Sequence, residues 1–589
     1  MTNRSLYALS CLAVVLLPFL FNFQSISAVP LSEDKYKVSP VFYDMDCHLW
    51  HLYAEKSGAR LTHWTDIDNA PYGREVYWAS PLYWLILLGS GCASLCSAGD
   101  PLLVGCIIVG PLVLAGLILF ANAIILAVTR SLKMAAGFNF ALAGCKYLFI
   151  ENYLYRPDHH GLFSSVFCLQ CLLLVLGIIK KDKRFFCAAG ILAALGCWIL
   201  TAQAWPLFLL VALAALIDIR AHADRSANWA AWAGCAAAAS VCFYLVEYYP
   251  ELPQRLEINH PVYAVVFLSW SCLFAIFPRV YKKARGLNLL YAALALLPTI
   301  FFLAAMIFGP QSIHAMRDPV MFRLHTFIAE FLPPEINILI FPYYMAPSFL
   351  AVYALARNRP QWLQERFRPV IFMAVVVLGL TCAALLEFRW LGLFQVATVN
   401  LVAAIFFYES VGKHEVVPKS LMTLLLRVLI FCTAIEPLVV PGGRVGPLMD
   451  SVVLYRALQP HLAAGSITVL GALDCAPELY AWSDGKIRCV DSSYWENLSG
   501  VRAAFDSLAA RDPAESIKIF HDRAVDFLAL RPGALEHYAD IRYGSTDPAL
   551  VASMTASRIV AGEFPGAKLS EIIRAKNPRE EWKIYRLKK

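Results

Sequence analysis

Three stretches of this 589-residue chain, Gly110 to Ala127, Gly161 to Ile179 and Leu287 to Phe308, run without one charged side chain. A helix needs roughly 20 apolar residues to cross the hydrocarbon of a bilayer, and each stretch reaches or approaches that length. Charged residues make up only 16% of the chain and hydrophobic ones 59%, against about 25% and 45–50% in soluble domains. A large soluble core does not account for the deficit, because a core still needs a polar shell. The chain is expected to be an integral membrane protein.

Length and hydropathy place about 13 spans, at 5–23, 81–97, 101–128, 161–179, 185–202, 204–219, 228–246, 261–277, 286–308, 336–356, 369–388, 390–409 and 420–440. Alternate loops carry basic clusters: Lys180, Lys181, Lys183 and Arg184; Arg220 and Arg225; Arg279, Lys282, Lys283 and Arg285; Arg357, Arg359, Arg366 and Arg368; Lys413 and Lys419. Basic loops stay on the cytoplasmic side, so the N-terminus is expected inside and the tail after residue 440 outside. Arg130, Lys133 and Lys146 fall outside and run against this alternation. The net charge of +7 has its source in the basic loops, and no nucleic-acid partner is expected. Arg4, the apolar stretch to Phe23 and small residues at Ser25 to Ala28 fit either a cleaved signal peptide or a first span; both export the segment after residue 28.

The expected fold class is mainly α: a polytopic membrane protein with about 13 transmembrane helices and a small C-terminal periplasmic α/β domain. Residues 1–440 form the membrane domain, with long external loops at 24–80 and 309–335, and 441–589 the outer domain. There, 466–470, 487–490 and 525–530 read as strands, and 497–510 and 512–522 as amphipathic helices. Most of the 17 cysteines, Cys168 and Cys171 included, sit in apolar runs and read as small buried hydrophobes. Cys475 and Cys489 can pair as a disulfide if the tail lies in an oxidising compartment.

Four places in the external segments hold polar groups that a loop does not require. Asp44, Asp46 and His48 lie beside Phe42, Tyr43 and Trp50; two carboxylates and an imidazole can make part of a divalent-metal site, the competing reading being a solvated acidic loop. Arg156, Pro157, Asp158, His159 and His160 stand just before a span. Asp158 and His160 offer oxygen and nitrogen donors that suit Mn2+ somewhat better than Mg2+, although a His-His pair is usually structural. Glu330 is a single carboxylate in an apolar context, and Arg389 ends the eleventh span. Arg389 can snorkel to the interface or grip a phosphate with its planar fork.

In this order and on this topology, these positions resemble the catalytic subunit of oligosaccharyltransferase in its single-subunit bacterial and archaeal forms. That family belongs to the C-type glycosyltransferase superfamily. Asp44 to His48 resembles the family's first acidic motif, and 63–74 the continuation of that loop. Asp158-His159-His160 resembles the D-H-H form of the second motif. Phe327-Ile328-Ala329-Glu330 is similar to the T-I-x-E motif, with Phe in place of Thr, and Arg389 falls where the family has its phosphate-gripping arginine. The resemblance implies thirteen spans, an outer C-terminal domain and a metal site of Asp44 and/or Asp46, Asp158, His160 and Glu330, holding Mn2+ or Mg2+. It implies catalytic roles for Asp44, Asp46 or Glu330, and donor phosphate binding by Arg389.

One departure stands out. Where the family carries W-W-D-Y-G to read the asparagine sequon, this chain has Ala472-Leu473-Asp474-Cys475-Ala476. Only Asp474 remains, in the acceptor region, and its ordinary role at such a place is to cap the following helix. The expected function is transfer of a sugar or oligosaccharide from a polyprenyl-(pyro)phosphate donor to a glycan or protein acceptor, in the inner membrane of a bacterial cell. The alternatives are a monosaccharide transferase acting on a lipid-linked envelope glycan, or a transporter or flippase of lipid-linked glycans. Transporters usually place ionisable groups in mid-membrane, whereas here they gather at one external surface.

Overall fold

The computed structural model describes residues 2–22, 29–30, 38–39, 45–96, 100–282, 286–308, 318–326, 341–362, 364–411, 415–439, 446–473, 475–492, 494–564, 569–576 and 581–587. The chain divides into two compact units. The first comprises Met1–Phe23, Trp78–Ser312 and Glu330–Pro441; the second Gln24–Tyr77, Ile313–Ala329 and Gly442–Lys589. The segments 24–77 and 313–329 thus group with the C-terminal residues rather than with the helical bundle.

A helix stands at each apolar stretch read from the sequence, within a few residues of its expected ends. Among the described residues, seven helices are long and apolar enough to cross a membrane: Pro101–Thr129, His159–Lys180, Thr201–Ala221, Ala223–Tyr248, Pro261–Tyr281, Glu365–Leu386 and Leu391–Ser410. Two of these form the centre of the bundle. The most apolar window is 94% buried in Leu391–Ser410 and 83% in His159–Lys180, against 44% in Pro101–Thr129. Asn400 joins the central pair by donating to the Cys168 carbonyl at 3.1 Å. The Lys183–Ile199 and Ser226–Tyr248 helices, rich in alanine, come so close that a Cβ on Gly190 would collide with the Trp232 carbonyl. Small residues allow such backbone approach where lipid offers no hydrophobic drive for helix association.

The segment between the third and fourth expected spans, 129–160, is mostly helical. Leu132–Ala143 and Lys146–Glu151 pack into the bundle, with Phe138, Asn139, Leu142, Leu148 and Phe149 buried. At 12 residues, the first is too short to register as a span. Lys146, which runs against the charge alternation, is buried there.

Three of the basic loops meet at one end of this unit. Asp218 accepts from Arg225 at 2.8 Å, from Arg368 at 3.1 Å and from Trp229 at 2.9 Å. Glu365 pairs with Lys181 at 2.5 Å and Arg225 at 3.3 Å. Lys181 follows the C-terminus of His159–Lys180, and Arg368 opens Arg368–Leu386. The other ends of those two helices therefore carry Asp158 and Glu387 to Arg389 to the opposite end of the bundle.

In the second unit, short ribbons β1 (Val29–Pro30) with β2 (Val38–Ser39) and β3 (Trp64–Thr65) with β4 (Arg74–Glu75) precede the main sheet. The sheet has five strands, β5 (Ile467–Leu470), β6 (Ile487–Cys489), β7 (Phe527–Leu530), β8 (Leu569–Lys576) and β9 (Glu581–Leu587), in the order β6-β5-β7-β9-β8. β5 runs parallel to β6 and β7, whereas β9 is antiparallel to β7 and β8. Alternate residues build two cores. Val469, Phe527, Ala529, Trp582 and Ile584 pack on one face with Leu479. Leu470, Leu528, Leu530 and Tyr585 pack on the other with Leu508 and Phe520. A sheet covered on both faces carries continuous apolar strands, as in the fully buried β7. The hairpin β8–β9 carries no such signal in the sequence: charged residues interrupt it at Glu571, Arg574, Lys576, Glu581, Lys583 and Arg586.

The segment 67–70 is stitched onto β6 and its exit: Asn69 donates to the Val490 carbonyl at 3.1 Å and Ala70 to Cys489 at 3.0 Å. The Pro319–Thr326 helix is capped by Asp318, whose other carboxylate oxygen holds Arg502, while Arg323 donates to the Ile541 carbonyl at 3.1 Å. Cys475 and Cys489 are buried free thiols.

Candidate active site

The sequence Tyr155-Arg156-Pro157-Asp158 enters the central helix through a strained turn. Tyr155 has φ +62°, a conformation uncommon for a bulky side chain. Its amide is held by the Ile107 carbonyl at 3.0 Å. Asp158 caps the His159–Lys180 helix in extended conformation, φ −135° and ψ 128°, and accepts from the His160 amide at 2.8 Å. Arg156 bonds the other Asp158 oxygen at 3.1 Å and donates to the Ile150 carbonyl at 3.0 Å. Burial alone would raise the Asp158 carboxyl, but His160, Arg156 and His159 outweigh it and hold the group below its ordinary value. It is a buried carboxylate kept ionised.

Asp158, His159 and His160 each offer one ligand atom, and these atoms lie within 4.8 Å of one another. The two rings stack at 4.6 Å, and Trp78 faces His159 at 5.2 Å. Gln203, in the first turn of Thr201–Ala221, places Oε1 3.3 Å from His160 Nδ1. An amide oxygen only accepts, so Nδ1 is the donor of this contact and Nε2 is the nitrogen turned away from Gln203, the orientation a ligating histidine needs. A buried carboxylate kept charged, an oriented imidazole and close spacing fit a divalent cation with mixed oxygen and nitrogen donors.

Sequence reasoning does not single out Glu151. Its Oε2 accepts from Ser164 at 2.7 Å, and burial above all raises its carboxyl to about 7, against the pull of His160 and Ser164. Three glycines make room for this turn. A Cβ on Gly110 would strike Asn152 and Tyr153, one on Gly161 the Glu151 carbonyl, and one on Gly392 the Glu151 carboxylate. Gly392 follows Arg389 by three residues, so Arg389 belongs to the same neighbourhood. Arg389 Nε donates to Glu387 Oε2 at 2.7 Å, Trp390 donates to the same oxygen at 2.9 Å, and the guanidinium lies 5.9 Å from the Trp390 ring. The signals that could have found Glu151 and Gln203 are a carboxylate after the apolar residues 147–150 and a lone amide beside Trp205.

The first acidic motif belongs to the second unit. Asp44 lies outside the described residues, and Asp46 is in the first turn of the Met45–Lys56 helix. His48 follows by two helical positions, about 200° around the axis, so the two point to different faces. His48 is buried and meets Trp482 edge-on at 6.3 Å. It is a core residue, not a partner of Asp46 in a metal site; Asp158 and His160 escape that constraint because Asp158 is off the helix. Glu330 and Asp474 lie outside the described residues. The residue at the N-cap of the Ala476–Trp482 helix is Cys475.

No protein-family model matches the sequence, and no curated protein matches it. Solved structures of the Archaeoglobus fulgidus oligosaccharyltransferase match it over nearly its whole length. The apo form superimposes with a TM-score of 0.67 at 14% identity, covering 98% of this chain and 80% of that one. A complex with Zn and sulfate gives a TM-score of 0.68 at 13% identity, covering 98% and 79%. A complex with an inhibitory peptide and a dolichol-phosphate gives a TM-score of 0.68 at 14% identity, covering 98% and 80%. The chain has the fold of the Archaeoglobus fulgidus oligosaccharyltransferase.

Proposed function

We propose that this chain is a membrane glycosyltransferase that moves a sugar or oligosaccharide from a polyprenyl phosphate or pyrophosphate to a glycan or protein acceptor. In this reading it crosses the inner membrane of a bacterial cell thirteen times, N-terminus inside, and works at the periplasmic face. The observation that carries the reading is the pair of buried Asp158 and half-buried His160, oriented by Arg156 and Gln203, in a chain with this fold. The dolichol-phosphate bound by the Archaeoglobus fulgidus enzyme is of the donor class proposed.

Asp158 and His160 would hold a divalent cation, Mn2+ or Mg2+, with Asp44 and/or Asp46 and Glu330 as further carboxylates. Such a cation neutralises charge developing on a phosphate leaving group. Arg156 keeps Asp158 ionised and aligned, and Gln203 fixes the orientation of the His160 ring through Nδ1. Arg389, steered by Glu387, offers the planar fork that suits phosphate. A carboxylate at the acceptor, from Asp44, Asp46 or Glu330, orients the nucleophile or takes its proton. Asp474 falls in the acceptor region. The absence of W-W-D-Y-G at 472–476 favours, as a second reading, transfer of one sugar to a lipid-linked envelope glycan.

The test is transfer of label from a radiolabelled lipid-linked glycan of the source membrane to envelope fractions, by purified protein with and without chelator. Chelator-sensitive transfer lost in Asp158→Ala supports the proposal. Absence of transfer, or transfer indifferent to both changes, sinks it.

A further inference from the structure

A cleft enclosing about 460 Å3 opens in the helical unit between Phe341–Arg357, Leu391–Val411, Lys419–Val439 and the C-terminal end of Leu132–Ala143. Its walls are apolar, with Leu350, Val399, Val402 and Leu426 among them, and no charged side chain lines it among the described residues. The flanking helices leave Phe349, Val352, Leu424 and Phe431 exposed, as a surface in contact with hydrocarbon does. One polar group breaks the pattern. Gln395, only 3% exposed, lines the cleft. Its Oε1 accepts from the Tyr147 amide at 2.9 Å. A backbone N–H only donates, so that contact assigns the oxygen and leaves Nε2 as the other arm. Nε2 is buried without a hydrogen-bond partner, although a buried donor left unmade is costly. The polar groups beside it are already engaged. The Thr398 hydroxyl donates to the Phe394 carbonyl at 2.9 Å, and the Cys145 thiol lies 3.6 Å from the carbonyls of Ala141 and Gln395.

We propose that the cleft seats an acyl chain of a diacyl phospholipid, with one ester carbonyl accepting from Gln395 Nε2. A neutral donor suits a neutral acceptor, whereas a phosphate calls for a cation, and none lines the cleft. An isoprenoid chain has no acceptor to offer, which separates this site from that of a polyprenyl donor. Depth agrees with an ester. Arg389 and Trp390, residue types that settle at a membrane interface, directly precede Leu391–Val411. Gln395 lies about 6 Å beyond Leu391 along the axis. The polar layer of a bilayer is about 5–7 Å thick on each side, so the amide sits where that layer gives way to hydrocarbon. The Tyr147 contact ties the same amide to Lys146–Glu151, the helix that leads to the Asp158 turn.

The test uses full-length protein, delipidated in detergent, and phosphatidylglycerol with either two ester-linked or two ether-linked chains. Bound lipid is measured by native mass spectrometry. The ether lipid lacks the carbonyls and is otherwise alike. The native protein is expected to bind the diester about 2–10-fold more tightly, the worth of one hydrogen bond. Gln395→Leu should bind the two lipids alike, and Val402→Trp, which fills the cleft, should lose the tightly bound lipid. Equal affinity of the native protein for diester and diether overturns the proposal without recourse to any variant. A preference for the diester that survives either substitution also overturns it. Displacement of the diester by polyprenyl phosphate overturns it as well, by marking the cleft as part of the donor site.

Discussion

The amide oxygen of Gln203 stands 3.3 Å from Nδ1 of His160, a contact between the first turns of two helices and between residues 43 positions apart. That contact fixes the orientation of the ring and turns Nε2 away from Gln203. Gln203→Leu removes the acceptor at nearly constant volume. Mn2+ affinity is expected to fall about 10–100-fold, read by titration calorimetry, with the helix content by circular dichroism unchanged. Wild-type affinity in this variant would show that Gln203 does not orient the ring.

Asp158 has two jobs that substitution separates. Asn also caps helices, whereas Ala does not, and losing the cap costs about 1 kcal/mol. Both variants should lose metal binding and melt below the native protein, because each takes the carboxylate partner from the buried Arg156; Asp158→Ala should melt lower still by the lost cap. If the two variants melt alike, the cap to the His160 amide at 2.8 Å contributes nothing measurable.

Gly392 and Glu151 should behave as a pair. A methyl group at 392 meets the Glu151 carboxylate, and overpacking of this kind costs about 1–3 kcal/mol. Gly392→Ala should lower the denaturation midpoint, and Glu151→Ala in the same chain should recover most of the loss. Strict additivity in this double-mutant cycle would contradict the contact.

Much of the architecture is open to sequence reasoning because long apolar runs and basic loops report directly on the bilayer. The strands at 467–470, 487–489 and 527–530 are visible for a similar reason, since apolar residues cluster there. Leu132–Ala143 escapes because a 12-residue helix packed among others is neither a span nor amphipathic. The hairpin β8–β9 escapes because its charges interrupt the apolar pattern. At the site, Asp158 and His160 carry a sequence signal, whereas Glu151 and Gln203 act through contacts that only the folded chain creates. His48 reads as a possible partner of Asp46 only because proximity along the chain ignores rotation about a helix.

His48 also sets a pH dependence. Burial, and then the charge of His51, push its imidazole down to about 3. Above roughly pH 6.5, the ordinary value, the folded and unfolded chains both carry it neutral. Below that the unfolded chain takes up a proton that the folded one refuses, so stability falls with pH from about 6.5 down to about 3. At pH 5 the loss reaches about 2 kcal/mol. Melting curves between pH 7.5 and pH 5 should be steeper in pH for the native protein than for His48→Gln; identical slopes would contradict a neutral buried ring.

The central claim is a metal site at Asp158 and His160, and anomalous scattering from Mn2+-soaked crystals tests it most directly. The account predicts an anomalous peak at ligating distance, about 2.0–2.6 Å, from Asp158 and His160, and no such peak in Asp158→Asn. Manganese bound only elsewhere, with these two side chains unligated, would contradict it.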